Sequence, residues 1–114
     1  MSAIAHFLRA GYTPLTRTTK ISGLSTIAVW TPSTSTKVVV TNMTLSTNLA
    51  TTIAFYWGNL AGDKIAEFVL SGSLNISPQI GCWEGTAYDR SLFAKLVVSA
   101  TDGVIVNLTG FELP

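Results

Sequence analysis

The sequence predicts an all-β protein, an antiparallel sandwich or barrel built from about eight short strands. Apolar and polar residues alternate in several segments, which is the pattern of strands with one buried face. These segments recur at intervals of about 8 to 12 residues and are separated by clusters of Gly, Pro, Asn, Asp and Ser. Such spacing favours antiparallel pairing over the βαβ units of a parallel sheet, which need longer crossover connections.

An uncharged window at residues 38–58, VVVTNMTLSTNLATTIAFYWG, is predicted to form two strands and not a membrane helix. A membrane helix needs about 20 predominantly apolar residues, whereas Thr, Ser and Asn recur throughout this window. Alternation continues on both sides of a polar turn at residues 46–48, so an antiparallel hairpin is expected. In its first strand, one face is expected to carry Val39, Thr41, Met43 and Leu45, and the other Val38, Val40, Asn42 and Thr44.

The same alternation predicts the remaining strands. Asp102 and Gly103 are the strongest short hairpin signal in the chain, so the strands on either side of them are expected to pair with each other. The strands beyond the uncharged window are predicted at residues 17–22, 25–30, 64–70, 74–77, 92–99 and 103–113.

Two segments break the pattern. Residues 1–16 are predicted to form an N-terminal arm, either extended or with one or two helical turns, that orders against a partner or a neighbouring subunit. Residues 17–114 then form a single sandwich domain. The second segment, residues 78–91 (PQIGCWEGTAYDRS), is called the Trp83 loop below and concentrates aromatic and charged groups. Long loops of this content usually carry function or contacts.

The composition restricts the possible partners. Charged residues make up 11% of the chain and the net charge is +1, so a nucleic-acid partner is not expected. Ser and Thr together number 27, which predicts a surface hydrated by hydroxyl groups. The segment MSAIAHFLRAG lacks the basic and apolar regions of a secretory signal, so use without export is expected.

The sequence contains no signature of catalysis or cofactor binding, and neither is expected. The single cysteine, Cys82, excludes an intrachain disulfide and a multi-cysteine metal site, and it is expected to be a small buried side chain. Glu84 and Asp89 share the Trp83 loop and are the one carboxylate pair that suggests a glycosidase. Solvated loop charges are the plainer interpretation of this pair.

A carbohydrate or receptor platform is the principal alternative to a structural role. Trp57, Trp83 and Tyr88 are the aromatic side chains that could stack on a sugar. Trp57 ends a predicted strand and is expected in or near the core, and Trp30 in the core or a subunit contact. The residues around Trp83 show no alternation of apolar and polar side chains, so the sequence does not assign it to a buried face. The candidate ligand or receptor contacts are therefore Trp83, Glu84, Tyr88 and Arg90.

Two segments resemble small bacteriophage virion proteins of the head-decoration (capsid-cement) or auxiliary type. KVVVTNMTLSTNLATTIAFYWGN (37–59) resembles their opening strands, and LFAKLVVSATDGVIVNLTGFEL (92–113) is similar to their last hairpin. The resemblance implies a β-sandwich, often jelly-roll-like and commonly trimeric, in a virion assembled in the host cytoplasm. The loop GCWEGTAYDR (81–90) departs from the short turn of that family, which keeps a fibre- or tail-associated role open.

These features together predict a non-enzymatic capsid decoration protein. Its expected partners are further copies of itself and the major capsid protein, with no nucleic acid and no membrane. Phe7, Leu8 and Tyr12 of the N-terminal arm are the expected capsid or inter-subunit contacts. The alternative is a fibre- or tail-associated module that binds sugar or a receptor through the Trp83 loop.

Overall fold

The computed structural model describes residues 11–58, 64–71, 74–76, 82–85, 87–97 and 103–114. These residues form β-strands and the turns between them, as expected for segments rich in β-branched and aromatic residues. The strands are β1 (Leu15–Ile21), β2 (Ile27–Trp30), β3 (Lys37–Thr47), β4 (Thr51–Trp57), β5 (Lys64–Leu70), β6 (Leu74–Ile76), β7 (Trp83–Glu84), β8 (Leu92–Leu96) and β9 (Val104–Leu113).

The strands form two antiparallel sheets that pack as a β-sandwich. The β9 sheet has the order β1-β9-β3-β6, with the short β7 also paired to β3, and the β4 sheet has the order β2-β8-β4-β5. Apart from β4–β5 and β6–β7, consecutive strands lie in opposite sheets, so the chain wraps around the core. This is the strand order of a jelly roll, and the predicted jelly-roll-like sandwich is confirmed.

The two hairpins predicted from the sequence are wrong, although their strands exist. β3 pairs with β6, β7 and β9, whereas β4 pairs with β5 and β8. β8 and β9 likewise belong to different sheets. Turn residues indicate where the chain reverses, but they do not show whether the next strand enters the same sheet. Here both connections cross the sandwich.

A bulge in β3 changes which residues face the core. The register of β3 against β9 shifts between Val40 and Asn42. Val38 and Val40 belong to the core before the shift, and Met43 and Leu45 belong to it afterwards. One extra residue moves the alternation by one position. The predicted faces of this strand, which kept strict alternation throughout, are therefore wrong.

The core lies between the two sheets and is built from aliphatic side chains around a few large rings. Trp30 and Trp57 are both buried, which confirms their expected core positions. In β5, Phe68 packs against the core while its neighbour Val69 points away and is 81% exposed. The largest fully buried side chains are Trp30, Phe55, Phe111, Ile21, Leu45 and Ile53.

Candidate functional site

The candidate contacts of the N-terminal arm lie only in part within the described structure. Phe7 and Leu8 are outside the described residues, so their role stays a prediction. Tyr12 is half-buried and follows Gly11, whose φ of 87° turns the chain before β1. β1 begins at Leu15, two residues inside the segment that was predicted as arm.

Trp83 lies on β7 and directs its ring toward the core. β7 pairs with β3 at Val40, a core residue, so Trp83 faces the same side. Its ring stacks on Phe68, with centroids 6.3 Å apart, and tilts against Phe55 at 5.3 Å. The side chain is half-buried and closes one part of the core. Alternation could not reveal β7, because a strand of two residues has no period.

Hydrogen bonds fasten the Trp83 loop to the turn before β3. Asp89 Oδ1 accepts the Ser35 N–H at 2.6 Å, and the Asp89 N–H donates to the Thr36 carbonyl at 2.9 Å. Ser35 and Asp89 both adopt left-handed backbone conformations, with φ of 63° and 62°. Such conformations persist where surrounding interactions stabilise them. Here the hydrogen bonds between the two turns stabilise both.

Lys37 brings together two of the predicted contact residues, Glu84 and Tyr88. Its Nζ lies 3.6 Å from Glu84 Oε1 and 5.5 Å from the centroid of the Tyr88 ring. The Tyr88 hydroxyl donates to the Pro114 carbonyl at 3.4 Å. Tyr88 is 55% exposed, so solvent and a ligand could reach its ring.

Arg90, the remaining predicted contact residue, lies over the end of β4. Gly58 has a φ of 73°, and a Cβ placed on it would be 2.9 Å from Arg90 Nε. Glycine therefore fits beneath the guanidinium, where any other residue would be strained. The structure thus joins Glu84 and Tyr88 at Lys37, and places Trp83 and Arg90 against other neighbours.

The carboxylates considered for hydrolysis each have a separate partner. Glu84 is paired with Lys37, and Asp89 accepts a hydrogen bond from Ser35. Within the described residues, no three His, Cys, Asp or Glu side chains come close enough to hold a metal ion. The absence of enzymatic activity stays a prediction.

Cys82 is exposed, so the expectation that it would be a buried side chain is wrong. It lies immediately before β7, within the Trp83 loop. Partial desolvation of the thiol, and then the nearby Glu84 carboxylate, raise the pKa of Cys82 above its ordinary value of 9.0. The thiolate is therefore disfavoured at neutral pH, which lowers the reactivity of this cysteine.

Glu112 is the centre of a polar cluster that the sequence did not indicate. Its Oε2 accepts the Trp30 Nε1–H at 2.9 Å, and its Oε1 accepts the Ser33 hydroxyl at 2.6 Å and the Ser33 N–H at 3.1 Å. Arg17 lies 3.5 Å from Oε2 and covers the Trp30 ring at 5.1 Å. These four residues, called the Glu112 cluster, join the β9 sheet to the β4 sheet at one edge.

Replacing Glu112 by glutamine is expected to reduce the acid sensitivity of folding. Burial by itself raises the pKa of Glu112, but hydrogen bonds from Ser33 and Trp30 and the charge of Arg17 outweigh it and hold the pKa below 4.5. A lowered pKa stabilises the fold above the unfolded-state pKa, and this contribution is lost as the pH falls through the folded-state pKa. Urea unfolding at several pH values between about 7 and 2 measures the difference.

The control for this prediction is Glu67→Gln, an exposed carboxylate paired with Lys64 at 3.0 Å. The Glu112 variant should be less stable than the wild type at pH 7 and lose less of its remaining stability in acid. Identical pH profiles for the wild type and the Glu112 variant would contradict the assigned role.

Where β1, β9 and β3 lie side by side, the outer face of the β9 sheet carries mainly hydroxyl and amide groups, as the composition predicts, together with Lys20 and the exposed Ile105. The register of β1, β9 and β3 aligns these groups across the strands. The Thr18 hydroxyl donates to Asn107 Oδ1 at 2.7 Å within one row. The rows contain no carboxylate; they are Thr16–Thr109–Asn42, Thr18–Asn107–Thr44 and Lys20–Ile105–Ser46.

None of the described residues belongs to a helix long and apolar enough to cross a membrane. No protein-family model matches the sequence, and comparison with curated proteins gives no match. Among solved structures, a chain of the Bacillus endospore appendages, a novel family of disulfide-linked pili, is similar with a TM-score of 0.52. Its identity is 14%, over 90% of this chain and 91% of that chain.

A chain of the cyanophage Pam1 capsid asymmetric unit gives a TM-score of 0.43 and 14% identity, over 90% of this chain and 84% of that chain. At such low identity, the likeness to the spore-appendage chain shows a shared fold.

Proposed function

We propose that the protein is a non-enzymatic structural subunit of a bacteriophage virion, a decoration protein that binds the capsid surface and stabilises the shell. The resemblance of residues 37–59 and 92–113 to phage decoration proteins supports this assignment. So does the jelly-roll strand order, which recurs in viral capsid domains. The proposed location is the virion, and the proposed partners are the major capsid protein and copies of this chain in a homotrimer.

The observation that carries the proposal is the outer face of the β9 sheet. Between β1 and β3, its three rows of Thr, Asn and Ser also contain one cation, Lys20, and one apolar side chain, Ile105, but no carboxylate. The Lys37–Glu84 ion pair lies at one end of the same face. Burying charged groups in a contact is costly unless they are paired. Hydroxyl and amide groups can instead exchange hydrogen bonds with water for hydrogen bonds with a neighbour. A face of this kind is suited to packing against a protein lattice.

The charged groups of the Trp83 loop are used differently. Glu84 and Asp89 are engaged by Lys37 and Ser35 of the same chain. This favours a scaffold role for that loop over catalysis. The spore-appendage chain, which has the same fold, builds pili, so the fold is compatible with repeated packing of subunits.

Stabilisation of a shell by such a subunit follows from contact area. A subunit that spans neighbouring capsomers adds an interface that must be lost before the shell can open. A stable interface buries about 1,600 Å² in total. Repetition of the same contact around a closed shell makes individually modest contacts strong together.

Deleting residues 1–13 is expected to abolish attachment to the particle while the sandwich stays folded. The deletion ends before β1, which begins at Leu15, so it removes the proposed contacts Phe7, Leu8 and Tyr12 and leaves β1 to β9 in the chain. Quantitative mass spectrometry of purified virions measures occupancy, and circular dichroism of the isolated protein measures folding. A double variant, Phe7→Ser with Leu8→Ser, should reduce occupancy in the same direction.

Leu24→Ser is the matched control, because Leu24 is an apolar side chain in the β1–β2 connection with 52% exposure. Unchanged occupancy after the deletion would overturn the role of the arm, and absence of the wild-type protein from purified virions would overturn the proposed function. Binding on a glycan array that is lost in Trp83→Ala, by a protein absent from virions, would favour the receptor-binding alternative.

A further inference from the structure

The outer face of the β4 sheet is exposed mainly along β5 and β8, and it differs in chemistry from the outer face of the β9 sheet. Two of its β-branched side chains, Val69 and Val97, are 81% and 54% exposed. The Val97 N–H donates to the Thr52 carbonyl at 2.8 Å, which continues the β8–β4 register by one residue. The register arranges this face in three rows: Ala28–Phe93–Tyr56–Lys64, Lys95–Ala54–Glu67 and Val97–Thr52–Val69.

Two of the three charged residues on this face flank β4 from opposite sides, and the third, Lys64, lies on β5. In the middle row, Lys95 on β8 and Glu67 on β5 lie on either side of Ala54. Two strand spacings separate their backbones, about 10 Å. Lys95 is exposed, and it has no ion-pair partner within the described part of the chain. Glu67 uses Oε2 to bind Lys64 at 3.0 Å.

We propose that this face binds the same face of a second copy of the chain, around a two-fold axis that runs along β4 between the two sheets. Such an axis exchanges β8 and β5 of the facing copies. Lys95 then lies opposite Glu67 of the partner subunit, and Glu67 lies opposite the partner subunit's Lys95. Two-fold contacts have this reciprocal form, in which one patch is complementary to itself.

The same axis matches the apolar rows. Val97 faces Val69 of the partner subunit and Thr52 faces its own copy, whereas Ala54 is buried within its own chain and adds no contact. Phe93 faces the partner subunit's Lys64, an arrangement in which a cation can lie over an aromatic ring. Facing β-sheets pack at about 10 Å, a gap that valine pairs and a lysine–glutamate pair can fill from opposite sides.

Charge complementarity favours a second copy of the chain over a partner whose surface carries charges of one sign. A strongly acidic or basic surface would leave either Lys95 or Glu67 facing a like charge, which costs affinity and selects against such partners. The inference does not depend on attachment to a capsid. If the chain also forms a homotrimer through other surfaces, the two-fold contact joins two trimers.

The test uses charge reversal and the isolated full-length protein. Lys95→Glu and Glu67→Lys are each expected to halve the mass of the wild-type assembly and to raise its dissociation constant at least about tenfold, since each places two like-charged pairs in the contact. Mixing the two variants should restore association, because the introduced glutamate of one chain then faces the introduced lysine of the other, and the remaining pair keeps both native charges. Light scattering and sedimentation are measured at protein concentrations from about 10 µM to 1 mM, so that a weak association through a small interface is also detected.

The matched control is Leu24→Glu, which adds a negative charge to the exposed β1–β2 connection, away from the outer faces of both sheets, and should leave the mass unchanged. Circular dichroism verifies folding, which is expected because Lys95 and Glu67 are exposed. A monomeric wild type, a mass that neither reversal changes, or a mixture that fails to associate would overturn the two-fold contact. None of these results bears on occupancy of the virion, so this inference and the proposed function can fail separately.

Discussion

Replacing Gly110 by alanine is expected to destabilise the sandwich by about 3 kcal/mol or more, a large part of the stability of a small domain. Gly110 pairs with Val40 beside the bulge of β3, and a Cβ at this position would overlap the backbone carbonyl of Val39. That carbonyl belongs to a strand held between β9 and its neighbours on the other side, so it cannot rotate away as a side chain would. Equilibrium unfolding in urea, followed by tryptophan fluorescence, measures the loss.

Gly23→Ala is the control for this steric effect, because a Cβ on Gly23 meets no atom within 4 Å. In the interior of a strand, alanine is ordinarily more favourable than glycine by about 0.5 to 1 kcal/mol. A loss at Gly110 therefore reports the close approach of β3 and not a change in backbone preference. A loss below about 1 kcal/mol would show that the bulge relaxes easily around the added methyl group.

Trp30→Ala is expected to cost about 3 to 5 kcal/mol, the range for removing a large buried ring. Trp30 is fully buried at the end of β2 and belongs to the core. Its indole also holds the Glu112 cluster together, since Glu112 accepts its N–H and Arg17 covers its ring. The variant therefore loses packing and leaves two charged side chains without their shared neighbour.

Trp30→Phe separates these two contributions. Phenylalanine retains much of the ring volume and cannot donate a hydrogen bond to Glu112. Its expected loss is about 1.5 to 3 kcal/mol, the range for a hydrogen bond to a charged group. Urea unfolding at neutral pH measures both variants. If Trp30→Phe were as damaging as Trp30→Ala, the loss would come from what both variants lack, the indole N–H and the indole shape, and the ring volume that phenylalanine retains would contribute little.

The positions of the strands could be predicted from the sequence because alternation is a local property. β5 occupies the predicted residues 64–70, with Phe68 toward the core and Val69 away from it. Strand pairing could not be predicted in the same way. The polar turn after β3 and the Asp102-Gly103 pair both suggested hairpins, yet each lies between strands of different sheets. The bulge at Thr41 had no marker either, since every residue around it suits a strand.

In the candidate site too, features that depend on neighbouring residues could be predicted from the sequence, whereas contacts between residues far apart in the chain could not. The core positions of Trp30 and Trp57 followed from the ends of their strands. The Glu112 cluster did not, because Glu112 and Trp30 are 82 positions apart and meet only when the sheets pack. Cys82 was expected in the core from residue type alone, whereas its place beside β7 leaves it exposed.

The position of β9 in the sheet has a consequence for the growing chain. β9 is the last of the described strands in chain order, yet it lies between β1 and β3 and pairs with both. During synthesis, the edges of β1 and β3 that pair with β9 therefore stay unpaired until residues 104–113 have left the ribosome. Open strand edges attract other chains, and pairing across such sequence distances is slow. We therefore expect the chain to be prone to aggregation until β9 has paired with β1 and β3.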